Sequence, residues 1–307
     1  MAYNSNAQRA TLRARTGIMS EFTIHIGVHK TGTSAIQNFL CRNRELLATS
    51  GYYYQPTSDD RWPNHHVLAA SFMKGSAPDL GEGLLKQIIL EAKDLRILMS
   101  SEMLCEPDMD IQRFLSALRG HTVRVITYIR HPCDILISAF NEVVRHYARG
   151  WSLPINEEPF AFDPSQYEYL SQWLDHADIE ISICPYDPRQ WTNGSLIEDF
   201  MFMINVPLGG YELNVGKVNP SLSFWAIERL RELNALKPTE SQHAELVAQL
   251  QQVDVLDVDY PLTDVTVATC LRRMADVLPF YRRHFRLGFN ETYLLSSRPS
   301  KTESLEM

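Results

Sequence analysis

The stretch TIHIGVHKTGTSAIQNFL, residues 23–40, decides the fold. It starts as an apolar β-rich run, passes through a turn with one lysine, one glycine and three hydroxyl side chains, and continues at once into a helical pattern. A helix N-terminus presents unpaired backbone N–H groups and a partial positive charge, so this order of elements predicts an anion-binding loop. Within the loop, Gly32 lets the backbone approach the anion closely, and Lys30 adds a full positive charge.

The spacing of this loop differs from that of the common ATP-binding loop. The pattern G-x-x-x-x-G-K-[ST] places its lysine after the last glycine, whereas Lys30 precedes Gly32 by two residues. No predicted strand ends in a clear acidic ligand for a nucleotide-bound magnesium ion, and Glu102 in RILMSSE comes nearest. The loop is therefore of a phosphate type without the usual arrangement for a magnesium nucleotide. The alternative interpretation is a glycine turn that starts a helix and carries an exposed lysine.

The composition indicates an ordinary globular chain and argues against a general nucleic-acid role. Hydrophobic residues make up 45% of the 307 residues and charged residues 21%, with a formal net charge of −8. Five scattered cysteines without C-x-x-C spacing indicate reduced thiols in a cytoplasmic setting, not a disulfide framework or a zinc site. No apolar run reaches the roughly 18 residues that a membrane span needs.

Short apolar β-rich runs alternate with amphipathic helical patterns up to Pro185. This alternation predicts an α/β fold with a P-loop-like, doubly wound parallel sheet flanked by helices, and a mainly helical C-terminal part from about residue 194. The predicted strands are 22–27, 95–100, 124–129 and 179–184, with 52–56 as a further strand or an extended loop. The predicted helices lie near 33–48, 64–73, 81–93, 109–119, 132–148, 165–176, 194–205, 221–235, 239–252 and 264–286.

A single domain is expected over 21–294, between a disordered leader (1–20) and a flexible tail (295–307). The leader carries three arginines and no apolar core, unlike a secretory signal, and Met19 is a plausible start. The segment 150–164 contains three prolines and few periodic apolar positions. It predicts a long surface loop or lid.

A second anion site is predicted by VRVITYIRHPCDILISAF, residues 123–140. A strand ends at Ile129, Arg130 follows at its carboxyl edge, and Pro132 fits the first turn of a helix that carries Ser138. An arginine at a strand end and a serine on the following helix form a phosphate clamp, since guanidinium pairs bidentately with phosphate oxygens. Taken alone, Arg130 could equally form a surface salt bridge.

Both stretches resemble motifs of the sulfotransferases that use 3′-phosphoadenylyl sulfate (PAPS). GVHKTGTSAIQ is similar to their 5′-phosphosulfate loop, especially that of bacterial carbohydrate-type members, and Arg130 and Ser138 match the spacing of their 3′-phosphate motif. The resemblance implies an enzyme that needs no metal and releases 3′-phosphoadenosine 5′-phosphate (PAP). It implies that Lys30 contacts the 5′-phosphate and the oxygen that bridges to sulfur. The further phosphate-binding residues that it implies are Thr31, Gly32, Thr33 and Ser34.

Two later stretches resemble the family less closely. ISICPYDPRQW, residues 181–191, is similar to a family strand and the tyrosine-acid pair after it, which implies that Tyr186 lies near the nucleotide. GKVNPSLSFWAIERLRELN, residues 216–234, resembles a late segment that closes over the 3′-phosphate, with Lys217, Asn219 and Ser221 as candidates. From its residues alone, this segment is at least as well explained as a loop with a helix cap at Ser221.

Sulfuryl transfer needs stabilisation of the leaving phosphate, which Lys30 would supply, and a base for the proton of the acceptor. Many family members carry that base after the strand that precedes the 3′-phosphate strand, and Glu102 has this place here. The rivals are His65 and His66, because histidine titrates near neutral pH. Only one of two consecutive helical residues can face a pocket. Glu102 could instead merely start a turn, and His29 is expected to shape the loop or contact the acceptor.

Three functions remain open from the sequence: a PAPS-dependent sulfotransferase, a P-loop kinase acting on a small molecule, and a nucleotide-binding protein without catalysis. The misplaced lysine and the missing magnesium acid argue against the kinase. The resemblance favours a hydroxyl of a carbohydrate, glycolipid or small molecule as the acceptor. The lid residues Trp151, Phe160 and Phe162 could stack on a ring or pack inside the loop. The helical C-terminal part is expected either to cover the acceptor or to form a homodimer face.

Overall fold

The computed structural model describes residues 19–58, 63–156, 165–213, 222–252 and 260–296. The expected leader and tail therefore fall almost wholly outside the described residues, and so do residues 157–164 of the expected lid, with Phe160 and Phe162. Within the described ranges, no helix combines the length and the apolar character that crossing a membrane requires.

Five parallel strands form one sheet with the order β2-β3-β1-β4-β5. The four runs predicted as strands are confirmed, and the 52–56 stretch contributes a strand of two residues. Because β1 is central and the chain adds strands on both sides of it, the sheet is the expected doubly wound α/β type. The strands are β1 (Glu21–Ile26), β2 (Tyr52–Tyr53), β3 (Arg96–Ser101), β4 (Thr122–Ile129) and β5 (Glu180–Pro185).

The predicted helical patterns are also confirmed, with differences at several of their boundaries. The pattern 33–48 forms two helices that meet at Asn43, whose backbone and side-chain amides both donate to the carbonyl of Phe39, at 3.1 and 2.9 Å. The pattern 264–286 ends as an α-helix at Tyr281 and continues as the 3₁₀ turn Arg282–His284. The helices are α1 (Thr33–Arg42), α2 (Arg44–Thr49), α3 (His66–Ala70), α4 (Pro78–Ala92), α5 (Ile111–Ala117), α6 (Pro132–Arg145), α7 (Ser165–Leu174), α8 (Leu196–Met203), α9 (Phe224–Asn234), α10 (Glu240–Gln251), α11 (Asp264–Tyr281) and α12 (Thr292–Leu295).

The chain divides into two compact units. The sheet unit contains Met1–Ile129, Ser165–Gly216 and Phe280–Phe289, and holds all five strands. The helical unit contains Arg130–Pro164, Lys217–Pro279 and Asn290–Met307, and within it α9 packs against α6 and α10. The division into compact units does not decide the number of domains, so the single domain expected over 21–294 stays a prediction.

A buried apolar cluster in the sheet unit fixes α1 against the sheet. Ile36, Phe39 and Leu40 on α1 are fully buried, and each such side chain contributes about 1.5–3 kcal/mol through the area it removes from water. The N-terminus of α1 is consequently held at the carboxyl end of β1. The other fully or largely buried members of the cluster are Leu47, Tyr52, Tyr54, Leu98, Ile126, Tyr128, Cys184, Leu196, Ile197, Phe200, Met201, Met203, Ile204, Val206 and Tyr211.

A buried ion pair ties α8 to the segment after α11. The carboxylate of Asp199 is fully buried and pairs with the guanidinium of Arg286, Nη1 to Oδ1, at 2.6 Å. The hydroxyl of Tyr128 and the amide of Thr192 also donate to this carboxylate, each at 2.9 Å. These three donors together compensate the buried negative charge of Asp199.

Removing one partner of this pair leaves the other charge buried. We expect Arg286→Ala to lower the free energy of unfolding by about 3 kcal/mol, because an uncompensated buried carboxylate is strongly destabilising. Urea unfolding at neutral pH measures the loss. The matched control is Arg229→Ala, which breaks the exposed pair between Arg229 and Glu232 and should cost less than about 1 kcal/mol. Equal, small losses in both variants would contradict the assignment of a stabilising role to the buried pair.

Candidate active site

The candidate site begins where β1 and β3 end side by side. The sheet register pairs Ile26 with Ser101, and the amide of Gly27 donates to the carbonyl of Ser101 at 3.3 Å. A β-carbon on Gly27 would lie 2.8 Å from Cγ of Glu102 and would also collide with Thr33. The loop after β1 therefore lies directly against the residue that follows β3, and glycine at position 27 makes this approach sterically allowed.

The loop delivers an open helix N-terminus. Gly32 is the N-cap of α1 with φ of 74°, and no side chain caps the helix. The amides of Ala35 and Ile36 both donate to the carbonyl of Gly32. The amides of Thr33 and Ser34 make no hydrogen bond to the described part of the chain. These two donors and the helix dipole are available to an anion.

Two of the loop hydroxyls have hydrogen-bond acceptors within the protein. The hydroxyl of Thr31 is buried and donates to the carbonyl of Val28 at 2.6 Å, so it stabilises the turn. The hydroxyl of Thr33 donates to Oε1 of Glu102. Of the three hydroxyls expected to bind phosphate, Ser34 alone has no hydrogen bond to described residues.

Glu102 is held as a charged carboxylate by groups from two helices. Gln37 on α1 donates from Nε2 to Oε2 at 2.9 Å, and His66 on α3 lies 3.4 Å from the same oxygen. Burial of the carboxyl disfavours its charge, but the hydrogen bonds from Thr33 and Gln37 and the nearby His66 outweigh burial, so the pKa of Glu102 is lowered. Glu102 is ionised at neutral pH, in the state that a general base requires.

The two adjacent histidines have different surroundings. His66 directs Nε2 to Glu102 and places Nδ1 2.8 Å from the hydroxyl of Ser101. Burial lowers the pKa of His66, although the charge of Glu102 opposes this, so the ring is neutral near pH 7. His65 is fully buried, its Nδ1 accepts from the amide of Ser100 at 3.2 Å, and burial lowers its pKa to about 4. His65 therefore packs inside the fold, and His66 is the histidine that contacts Glu102.

Buried polar side chains form a series of hydrogen bonds that leads from Glu102 into the sheet. Nε2 of Gln37 lies 3.2 Å from the hydroxyl of Ser100, which in turn lies 2.9 Å from Nδ1 of His25. His25 is fully buried, and burial lowers its pKa to about 4 even beside Glu102. The imidazole is thus neutral at physiological pH. The chain links β1, β3 and α1 beneath the carboxylate.

Sequence reasoning did not identify Gln37 and Glu106. Gln37 lies four residues after Thr33, and this helical spacing is the signal that could have indicated a shared target. Glu106 accepts from Nε2 of His29 at 2.8 Å, and this partly exposed pair ties the loop to the segment after β3. The hydrogen bond, chiefly, lowers the pKa of Glu106. That His29 shapes the loop or contacts the acceptor stays a prediction.

Tyr186 packs over the loop. A β-carbon on Gly32 would lie 3.0 Å from Cε2 of Tyr186 and would collide with Leu196. The ring of Tyr186 meets the ring of Trp191 edge to face at 5.0 Å, and the indole of Trp191 donates to the carbonyl of Pro185 at 2.8 Å. The ring that the sequence associates with the nucleotide is therefore fixed beside the open helix N-terminus.

The residues of the second predicted anion site belong to the helical unit. Arg130 directly follows β4, His131 caps α6 through a 3.3 Å bond from the amide of Cys133, and Ser138 lies half-buried on α6. The expected strand end, arginine and helix order is present. Lys217, Asn219 and Ser221 lie outside the described residues.

Metal ligands and cysteines add no further centre in the described ranges. Those ranges contain no group of three or more His, Cys, Asp or Glu side chains placed to hold a metal ion. All five cysteines are free thiols. The arrangement provides an anion cradle with a carboxylate beside it, which is suited to group transfer with proton removal.

Comparisons with known proteins give distant likenesses. No family model matches the chain, and no curated protein sequence matches it. A sulfotransferase domain from the curacin biosynthetic pathway is 11% identical, covering 85% of this chain and 98% of its own, with a TM-score of 0.41. A sulfotransferase from Alicyclobacillus acidocaldarius is 15% identical, covering 78% of this chain and 98% of its own, with a TM-score of 0.37. A structure of the PezAT toxin-antitoxin system of Streptococcus pneumoniae is 13% identical, covering 80% of this chain and 93% of its own, with a TM-score of 0.31. At such scores, none of these likenesses decides the function of this chain.

Substitutions at Lys30 can separate the effect of its side-chain charge from the effect of its backbone conformation. Lys30 has φ of 69°, in the left-handed region that costs an L-residue about 1 kcal/mol. We expect Lys30→Ala and Lys30→Gly to weaken PAP binding equally, by tenfold or more, because both remove the charge. Chemical denaturation should find the glycine variant more stable than the alanine variant by about 0.5–1 kcal/mol. Calorimetry with PAP measures the binding.

Lys237 offers the matched control, since it has φ of 52° and belongs to the helical unit. Its alanine and glycine variants should differ in stability in the same direction while PAP affinity stays unchanged. Wild-type PAP affinity in Lys30→Ala would remove Lys30 from the anion site.

Proposed function

We propose that the chain is a sulfotransferase that moves a sulfuryl group from PAPS to a hydroxyl of a carbohydrate, glycolipid or small molecule. The observation that carries the proposal is the hydrogen bond from Thr33, at the open N-terminus of α1, to Glu102. An anion bound by that helix would have an ionised carboxylate next to it, and group transfer to a hydroxyl needs both. The resemblance of the loop and of Arg130 and Ser138 to family motifs selects PAPS among the anions.

The chemistry assigns separate roles to these groups. PAPS supplies the activated sulfuryl group as a co-substrate. The acceptor oxygen bonds to sulfur while the bond from sulfur to the bridging phosphate oxygen breaks, and that electron pair remains on the leaving phosphate. Lys30 and the amides of Thr33 and Ser34 stabilise the charge that grows there. Glu102 accepts the proton of the acceptor hydroxyl, and His66 orients the carboxylate. The reaction requires no metal.

The other end of the donor is assigned to Arg130 and Ser138. Arg130 directly follows Ile129, the last residue of β4. We assign the 3′-phosphate to its guanidinium and to the hydroxyl of Ser138. Tyr186 contacts the nucleotide side of the loop, and Lys217, Asn219 and Ser221 remain candidates to close over the 3′-phosphate. The five free thiols fit a cytoplasmic enzyme.

A specific observation also favours a second candidate, a kinase that uses a magnesium nucleotide. In P-loop enzymes, a hydroxyl at the start of the first helix and an acid after a neighbouring strand hold the magnesium ion together. Thr33 and Glu102 have these positions and are hydrogen-bonded. The lysine argues against this candidate, because Lys30 lies before Gly32 and outside the helix.

Calorimetric titration of PAP, 5′-AMP and ATP, each with and without magnesium, tests the proposal. We expect PAP to bind without magnesium at least tenfold more tightly than 5′-AMP, which corresponds to about 1.4 kcal/mol from the 3′-phosphate. Arg130→Ala should remove this preference and leave 5′-AMP binding unchanged. Binding of ATP that depends on magnesium, with no preference for PAP, would replace the sulfotransferase by the kinase.

Replacing the proposed base separates an enzyme from a binding protein. We expect Glu102→Gln to retain PAP binding and to lower turnover of PAPS by 10²-fold or more, since general-base catalysis contributes about 10²–10⁴-fold. Release of PAP from PAPS across a set of sugar and glycolipid acceptors measures turnover. Full turnover in Glu102→Gln would exclude Glu102 as the base, and the companion variant His66→Gln would then test the remaining candidate.

A further inference from the structure

Thr33 belongs to both halves of the candidate site. It is the first residue of α1, so its amide and hydroxyl lie at the helix N-terminus to which we assign the 5′-phosphate. In the structure its hydroxyl donates to Glu102. A hydroxyl has one proton and donates to one acceptor at a time. A phosphate oxygen and the carboxylate of Glu102 are therefore competing acceptors for Thr33.

We propose that Thr33 is a positioning residue that makes the strength of the base depend on occupation of the donor loop. Without donor, the hydroxyl of Thr33 holds Glu102 as a stabilised carboxylate, which is a weak base. When an anion binds at the helix N-terminus, the hydroxyl donates to the anion. Glu102 then loses a hydrogen bond and gains a negative neighbour, and both changes increase its affinity for a proton. This inference rests on the proposed function.

The remaining contacts keep the carboxylate in place while Thr33 changes its acceptor. Gln37 donates to Oε2, whereas Thr33 donates to Oε1, so the two helical donors hold different oxygens. Gln37 lies 3.2 Å from the hydroxyl of Ser100, and His66 also lies on the Oε2 side. Loss of the Thr33 bond thus frees Oε1, the oxygen beside the loop, to accept a proton.

The groups that face Glu102 are compatible with a titration that reports on Thr33. Burial lowers the pKa of His25, on β1, to about 4, so this imidazole is neutral at higher pH. Burial raises the pKa of Tyr54, after β2, well above its usual range. His66 on α3 has a pKa lowered chiefly by burial, and the His29–Glu106 pair lies beside it. His66 is the neighbour whose charge must be separated, which His66→Gln does.

Carbon-13 NMR of protein labelled at the glutamate side-chain carboxyl tests the proposal. The Glu102 resonance is assigned by its loss in Glu102→Gln and is titrated with and without saturating PAP. We expect the pKa of Glu102 to rise by about one unit or more when PAP binds. In Thr33→Val the pKa should already be raised without PAP, and the further rise should be smaller. Thr33→Ser should restore the wild-type pattern, and His66→Gln should keep the rise.

Thr49→Val provides the matched control, since the hydroxyl of Thr49 on α2 donates to the carbonyl of Leu46 at 2.7 Å. It should leave the Glu102 titration unchanged. The proposal is overturned if PAP binds without moving the pKa of Glu102, or if Thr33→Val titrates as the wild type does. Should the valine variant fail to fold, Thr33→Ala takes its place.

Failure of PAP to bind the wild-type protein would count against the proposed function itself. Inorganic pyrophosphate is then the probe, because it needs the loop but not the 3′-phosphate site. If pyrophosphate raises the pKa of Glu102 in the wild type and less so in Thr33→Val, the coupling holds without PAPS as the donor. If pyrophosphate leaves that pKa unchanged, the coupling fails too.

Discussion

The close approach of Gly27, Thr33 and Glu102 is the constraint on which the candidate site depends. The register of β1 and β3 ends both strands at the same level, and a β-carbon at position 27 would lie 2.8 Å from the side chain of Glu102. Because no β-carbon is present, the first residue of α1 can reach the carboxylate. The N-terminus of α1 and the carboxylate of Glu102 are consequently one packed unit, and a change at Gly27 would disturb both.

Buried polar groups add rigidity beneath this contact. His25, Ser100 and Gln37 form a chain of hydrogen bonds whose members are fully or almost fully buried. Burying such groups is costly unless they are paired, and these two hydrogen bonds fix the relative positions of β1, β3 and α1. Nε2 of His25 is buried and has no hydrogen bond to the described residues. The neutral state of His25 suits this place, since a charged imidazole beside the site would alter the charge balance around Glu102.

The elements could be predicted from the sequence because their signals are local. Near-continuous apolar runs indicate strands that are buried on both faces. The order of strand, turn and helix around Lys30 indicates an anion-binding loop and requires no knowledge of residues far away in the sequence. The use of each hydroxyl could not be predicted. Whether Thr33 donates to an anion or to Glu102 depends on a residue 69 positions away, brought near by the sheet register. The same limit applied to His65 and His66, for which the sequence established only that one of them could face the pocket.

The contact between Thr33 and Glu102 is common to both functions that the geometry favours, but the proton of Thr33 would behave differently in each. A magnesium ion would take the hydroxyl oxygen as a ligand, so the hydroxyl proton would still point to Glu102, and the cation would lower the pKa of that carboxyl. A metal-free anion would draw the proton away and would raise the same pKa. The direction in which the Glu102 carboxyl responds to its ligand therefore distinguishes sulfuryl transfer from phosphoryl transfer, before any acceptor is known.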